Sequence, residues 1–313
     1  MKNERTEILN LNRTPELEKQ FESFELVEVY GGEMRVVDLN PEKLKTQTPT
    51  VFLKGWGATP RIYKESLIGL AEQGRKVLAV DSPHGIEVKN IPESDTPEGQ
   101  NIPEVELKKV AALLKMMDEK GLEKVDVVAH SEGGVYGVLA AMLRPERFRN
   151  MVLVDPAGMV GEDEKGRLLK DAILDIALQV GRIFKRLKSI DWPALSKTLR
   201  GGPELSKVIA AGPKATWESI GVIAESQIDE LLESLKKLGL GIAIVHGVDD
   251  KFFPMEKVQK MTTNKTVDGF YSVRGTHNEI LIHPEKHVKL IDQALDALEA
   301  LKLKEESAKT AEK

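Results

Sequence analysis

Val125-Asp126-Val127-Val128-Ala129-His130-Ser131-Glu132-Gly133-Gly134 runs from a buried-type strand through a serine into small residues. Val135 to Leu143 then continues as an apolar, alanine-bearing helix. The pattern small-x-Ser-x-Gly puts Ser131 at a strand-turn-helix corner, where small flanking residues are needed because the two backbones almost touch. Two readings stand side by side. Ser131 is either a helix N-cap, a position that serine favours anyway, or a hydroxyl displayed for chemistry. In the second reading the Glu132 amide, at a helix N-terminus with unpaired donors and partial positive charge, faces the same point. The pentapeptide alone does not choose.

The chain has 313 residues, enough for one large α/β domain or a domain with an insertion, and for a sizeable core. Hydrophobic residues make up 41% and charged residues 30%, which fits a folded globular protein and argues against disorder. A formal net charge of −5 offers no electrostatic footprint for nucleic acid, so no DNA or RNA partner is expected. With no cysteine, disulfides, thiolate metal sites and cysteine nucleophiles are excluded, and a reducing cytoplasm suits the composition. Met1-Lys2-Asn3-Glu4-Arg5-Thr6-Glu7 leads into mixed charge and not an apolar h-region, so no secretory signal is expected. Nor is there a run of about 18 apolar residues to span a membrane. The expectation is a cytoplasmic, soluble protein.

Residues 1–23 read as a polar leader with one surface helix near Thr14 to Phe21. Phe24 to Leu39 reads as a β-hairpin turning at Gly31-Gly32, at the antiparallel edge of a sheet. Short apolar runs follow at Thr50–Leu53, Lys76–Asp81, Val125–His130 and Arg149–Val154, separated by helical segments at Arg61–Gln73, Pro103–Lys120 and Val135–Arg144. Apolar positions Val105, Leu107, Val110, Leu113, Leu114 and Met117 give the second of these helices its buried face. The alternation predicts parallel βαβ units in a doubly wound, mostly parallel sheet, with function beyond the carboxyl ends of the strands. Between Met159 and about Leu240 no strand is legible, so 159–239 reads as an inserted helical cap, with 24–158 and 240–303 as the core. Gly241–His246, Thr266–Val273 and a helix over Pro284–Leu301 resume the rhythm, and 304–313 reads as a charged tail.

A serine nucleophile needs a base within hydrogen-bond reach and a third group to hold that base in the right tautomer. His277 follows a late strand in a loop before the last helix, and acid candidates lie in His246-Gly247-Val248-Asp249-Asp250-Lys251-Phe252-Phe253-Pro254. The order Ser, Asp, His is that of one class of hydrolases. From about Phe24 to Leu301 the chain resembles the α/β-hydrolase superfamily. The resemblance rests on the nucleophile elbow at Ser131, the His-Gly-x-x-Asp-x-x-x-Pro segment at His246 to Pro254, and a shortened Gly-x-x-His at Gly275 to His277. It implies Ser131 as nucleophile, His277 as base and Asp250 as acid, with Asp249 and Asp155 as alternatives for the acid. Phe52-Leu53-Lys54-Gly55-Trp56-Gly57 is similar to the family's His-Gly-x-Gly oxyanion loop, with Lys54 where histidine is usual. The backbone amides of Trp56 and Glu132 would then form the oxyanion hole.

The resemblance implies a capped serine hydrolase of the carboxylesterase type acting on a small-molecule ester, with no cofactor and no metal. Serine at the elbow argues against the aspartyl chemistry of dehalogenases and epoxide hydrolases. Hydrolysis of a C–C or amide bond by the same groups, or a non-catalytic small-molecule receptor, are the alternatives. His283 and His287, four apart around Glu285, do not have zinc-helix spacing. His84, His130 and Asp81 read as structural residues at strand ends, and Gly133, Gly134 and Gly137 as close-packing glycines. Glu132 reads as a carboxylate favoured at a helix N-terminus, with the further expectation that it faces the acyl pocket. Arg182, Lys185, Arg186 and Lys188 read as the solvated face of a cap helix, with a lipid surface as the alternative.

Overall fold

The protein's structure, a computed structural model, describes residues 14–81, 88, 91–92, 103–160, 218, 221–223 and 226–311. Most of the expected cap, its basic helix and His84 lie outside these residues. Strands β1 (Glu25–Val29), β2 (Gly32–Leu39), β3 (Thr50–Leu53), β4 (Val77–Val80), β5 (Val125–His130), β6 (Phe148–Val154), β7 (Gly241–Gly247) and β8 (Gly269–Val273) form one sheet. Its order is β1-β2-β4-β3-β5-β6-β7-β8. The β1-β2 hairpin and the β2-β4 pair are antiparallel, and every other pair is parallel. Tyr30 and Gly31 both take positive φ (48° and 78°), the backbone that a tight two-residue hairpin turn demands.

Strands β3, β4, β5 and β7 are buried along their entire length, which is why they read as unbroken apolar runs rather than alternating ones. Helices α1 (Pro15–Glu22), α2 (Lys64–Glu72) and α8 (Pro284–Ala311) cover one face of the sheet. Helices α3 (Glu104–Glu119), α4 (Glu132–Leu143) and α5 (Asp229–Lys237) cover the other. Helices α6 (Met255–Met261) and α7 (Glu279–Ile282) lie in the connections after β7 and β8. Helix α1 is docked, because its Leu17 and Phe21 are buried against the core. Helix α8 runs on through the segment read as a charged tail. It is held to the body by Arg75, whose Nε and Nη2 each donate at 2.6 Å, to Asp292 and Asp296. Among the described residues no helix is long and apolar enough to cross a membrane.

From β3 the chain passes to β4 on one side and then to β5 on the other. The crevice beyond the adjacent carboxyl ends of β3 and β5 is therefore a topological switch point, where open α/β sheets bind ligands.

Candidate active site

Ser131 stands between β5 and α4 with φ 54° and ψ −121°, a backbone that a non-glycine residue rarely adopts. Hydrogen bonds hold the turn from both sides: its N–H donates to Val154 O at 3.0 Å, and its carbonyl accepts from Gly134 N at 3.0 Å and Ala157 N at 3.2 Å. A Cβ on Gly133 would lie 2.5 Å from the carbonyl oxygen of Leu53, so only glycine lets α4 start this close to β3. The side chain of Ser131 makes no capping bond to the helix. Its Oγ lies instead 3.0 Å from Nε2 of His277.

The loops after β7 and β8 are zipped together by Val248 N to Val273 O and Asp249 N to Gly275 O, both at 2.9 Å. This brings the buried carboxylate of Asp250 to His277, with Oδ2 2.9 Å from Nδ1. The other oxygen of Asp250 accepts the amides of Phe252 at 2.8 Å and Phe253 at 3.1 Å, fixing the carboxylate's orientation. The imidazole of His277 is stacked on Phe252, with ring centroids 4.6 Å apart, and meets Phe253 edge-on. Of the alternative acids, Asp249 is half-buried, and Oδ1 of Asp155 accepts the amide of Gly247 at 2.7 Å.

The loop after β3 passes directly over Ser131. A Cβ on Gly55 would lie 3.1 Å from Cβ of Ser131, which sets the Gly55-Trp56 backbone beside the serine, with the Glu132 amide at the start of α4. Beneath them lies a buried charge cluster in which Nζ of Lys109 donates to Glu106 at 2.5 Å and to Glu132 at 2.6 Å. The Glu132 carboxylate is thus taken up by an internal ion pair, not presented to an acyl pocket as its position beside the serine suggested. Burial pushes the Glu106 carboxyl up, with Lys109 opposing. Lys54 is fully buried and pushed down by desolvation, its ammonium without a hydrogen-bond partner among the described residues.

A family model described as alpha/beta hydrolase fold matches residues 48–190, which span the oxyanion-type loop and the serine corner. The chain has the α/β-hydrolase fold. It is 27% identical over 266 residues to a protein of Mycobacterium phage D29 provisionally named a non-heme haloperoxidase, covering 80% of this chain and 88% of that one. It is 28% identical over 181 residues to a protein of Caulobacter vibrioides provisionally named carbamate hydrolase RutD, covering 55% of this chain and 65% of the relative. Among solved structures it resembles CarC, a serine hydrolase involved in carbazole degradation, with a TM-score of 0.59 and 19% identity over 88% of this chain and 99% of that one. At that identity the likeness speaks for the fold.

In this α/β-hydrolase fold the three side chains singled out by sequence meet at one point. Other residues of the site were not legible. Tyr63 donates its hydroxyl to the network around His130 from a short 3₁₀ turn (Pro60–Tyr63), and nothing in its local sequence marks it. Phe252 and Phe253 did carry a signal, as adjacent aromatics inside the acid-bearing segment. Among the described residues two groups of buried donors, His130-Asp155-His277 and Asp155-His246-Asp250, each have ligand atoms within 4.8 Å of one another. Both nitrogens of His277 and of His130 are engaged in hydrogen bonds, so the first cluster already serves the relay instead of presenting free ligand atoms to an ion.

Proposed function

We propose that the chain is a serine hydrolase that cleaves a small or medium carboxylic ester through an acyl-enzyme on Ser131. The observation that carries this reading is the unbroken path from Ser131 Oγ through His277 to Asp250, with links of 3.0 Å and 2.9 Å. In the proposed cycle His277 Nε2 takes the hydroxyl proton as Oγ attacks the carbonyl carbon. Asp250 holds the resulting imidazolium, and the Trp56 and Glu132 amides receive the oxyanion. His277 then gives the proton to the leaving alkoxide. Water, deprotonated by the same nitrogen, attacks the acyl carbon, and as the bond to Oγ breaks His277 returns that proton to Ser131 and the acid is released. The lack of cysteine suits a reducing cytoplasm, where we place the protein.

A second reading, favoured by the relative named carbamate hydrolase, directs the same groups at a C–N bond, or at a C–C bond. A panel of p-nitrophenyl esters from acetate to octanoate, run beside carbamates and anilides, separates these. Ester turnover and fluorophosphonate labelling, both lost in Ser131→Ala, are expected. Faster carbamate or anilide cleavage would reassign the bond, and a chain that neither turns over nor labels would be a binding protein.

A further inference from the structure

We propose that Tyr63 and His130 are positioning residues that brace the oxyanion loop to the loop of the catalytic base. The proposal rests on the hydrolase reading above.

Four buried groups from separate parts of the fold are joined in series. The Gly55 amide, in the loop after β3, donates to the Tyr63 hydroxyl at 3.1 Å. The Tyr63 hydroxyl lies 2.7 Å from His130 Nδ1, and His130 Nε2 lies 3.0 Å from the main-chain carbonyl of His277. Tyr63, His130 and His277 are all buried. The direction of every link follows from chemistry. A carbonyl can only accept, so Nε2 of His130 carries the proton. In a neutral imidazole Nδ1 is then the acceptor, so the Tyr63 hydroxyl donates to it and uses its lone pair for Gly55. His130 is held neutral, since burial and the neighbouring His277 push it well below the usual histidine value. No member of the series has a second arrangement that keeps all the bonds.

The two ends of this series are what acyl transfer must keep in register. At one end the Gly55 amide is turned to Tyr63, which fixes the residue from which the next amide, that of Trp56, is presented. At the other end the main chain of His277 is fixed, and with it the imidazole that reaches Ser131. His130 itself precedes the nucleophile in the chain. The ring of Tyr63 is seated against Phe52 (centroids 4.9 Å) and edge-on to His130 (5.6 Å), so removing its hydroxyl leaves packing in place. A shift between oxyanion donors and base weakens interactions made in the transition state more than those with bound substrate, and so acts on kcat rather than KM.

The test is Tyr63→Phe, His130→Gln and their double variant, assayed with a p-nitrophenyl ester and by the rate of fluorophosphonate labelling. His130→Gln keeps an amide donor for the His277 carbonyl but loses the rigid ring that holds donor and acceptor at fixed positions between His277 and Tyr63. Each single variant is expected to lower kcat by about tenfold to a hundredfold with KM within about twofold. The double variant is expected to match the weaker single variant within about twofold, because both changes cut one series. A kcat loss below about fivefold, a loss carried by KM, or losses that multiply in the double variant would overturn the brace. If Tyr63→Phe fails to fold, His130→Gln alone decides by the same kcat and KM criteria. Wild-type protein that neither turns over nor labels would overturn the hydrolase reading and the brace with it. Wild-type labelling with unchanged rates in the variants would overturn the brace alone.

Discussion

Ser131 combines a strained backbone with a hydroxyl that gives up helix capping to face His277, and the glycines around it decide whether that corner can exist. Gly133 and Gly134 look alike in sequence but not in space. A Cβ on Gly133 would lie 2.5 Å from Leu53 O and 2.9 Å from Lys54 O, both backbone atoms that cannot rotate away. A Cβ on Gly134 would lie 3.5 Å from Leu153 Cδ2, an ordinary contact. Gly133→Ala is therefore expected to cost about 1–3 kcal/mol in urea unfolding and to abolish ester turnover, while Gly134→Ala stays close to wild type in both. Asp250→Asn is expected to fold normally and lower kcat by about 10⁴, because an amide at that place favours the wrong tautomer of His277. That Ser131, Asp250 and His277 meet was legible because the chemistry proposed for them restricts them to a few residue types in a fixed order along the chain. Tyr63 was not, since its place beside His130 arises only when the loop after β3 folds back over the serine.

Helix α3 shows where periodicity misleads. The 3.6-residue pattern placed Leu107 and Leu114 on the buried face, yet both are half-buried, and Glu106 and Lys109 are buried with Val105, Val110 and Leu113. The helix is turned so that Lys109 lies between Glu106 and the Glu132 carboxylate of α4, a pairing across two helices that no single-helix pattern can reveal. Lys109→Met is expected to destabilise the protein by about 3–5 kcal/mol, because it removes the ammonium that pairs with both buried carboxylates. Adding Glu132→Gln should recover a large part of that loss, and urea unfolding of the single and double variants measures it; equal losses in both would rule out the ion pair as the cause. Helix α8 fails the pattern in the opposite sense. Its apolar spacing stops at Leu301, but the Lys, Glu and Ala that follow are good helix formers, and the helix continues to Ala311. Strands β3 to β7 were legible to within a residue because central strands of a parallel sheet are buried on both faces and read as apolar runs, whereas the less buried edge strand β8 starts at Gly269, not Thr266.

Three buried histidines give the folded chain a common response to acid. His130, His246 and His287 are all pushed down by burial, His287 to about 4 from 6.5. A base whose folded-state pKa is depressed stays neutral in the native protein while the unfolded chain takes up a proton. Stability is thus highest above about pH 6.5 and falls as pH drops toward the depressed values, by about 1.4 kcal/mol per pH unit for each such histidine. Glu106 works the other way. Its folded-state pKa is raised above 4.5, so the native protein holds that proton longer, and stability is regained as pH falls through the raised value toward 4.5. The net slope sums these opposed terms, but replacing one histidine isolates its own. His287 lies in α8 outside the path from Ser131 through His277 to Asp250, and His287→Phe keeps a ring in a fully buried place while removing the group that must stay neutral. The urea midpoint of wild type is expected to fall more steeply than that of His287→Phe between about pH 6.5 and about pH 4, with the two curves diverging by up to about 3 kcal/mol at the acid end. Parallel curves over that interval would show that His287 does not titrate differently in the folded and unfolded chains.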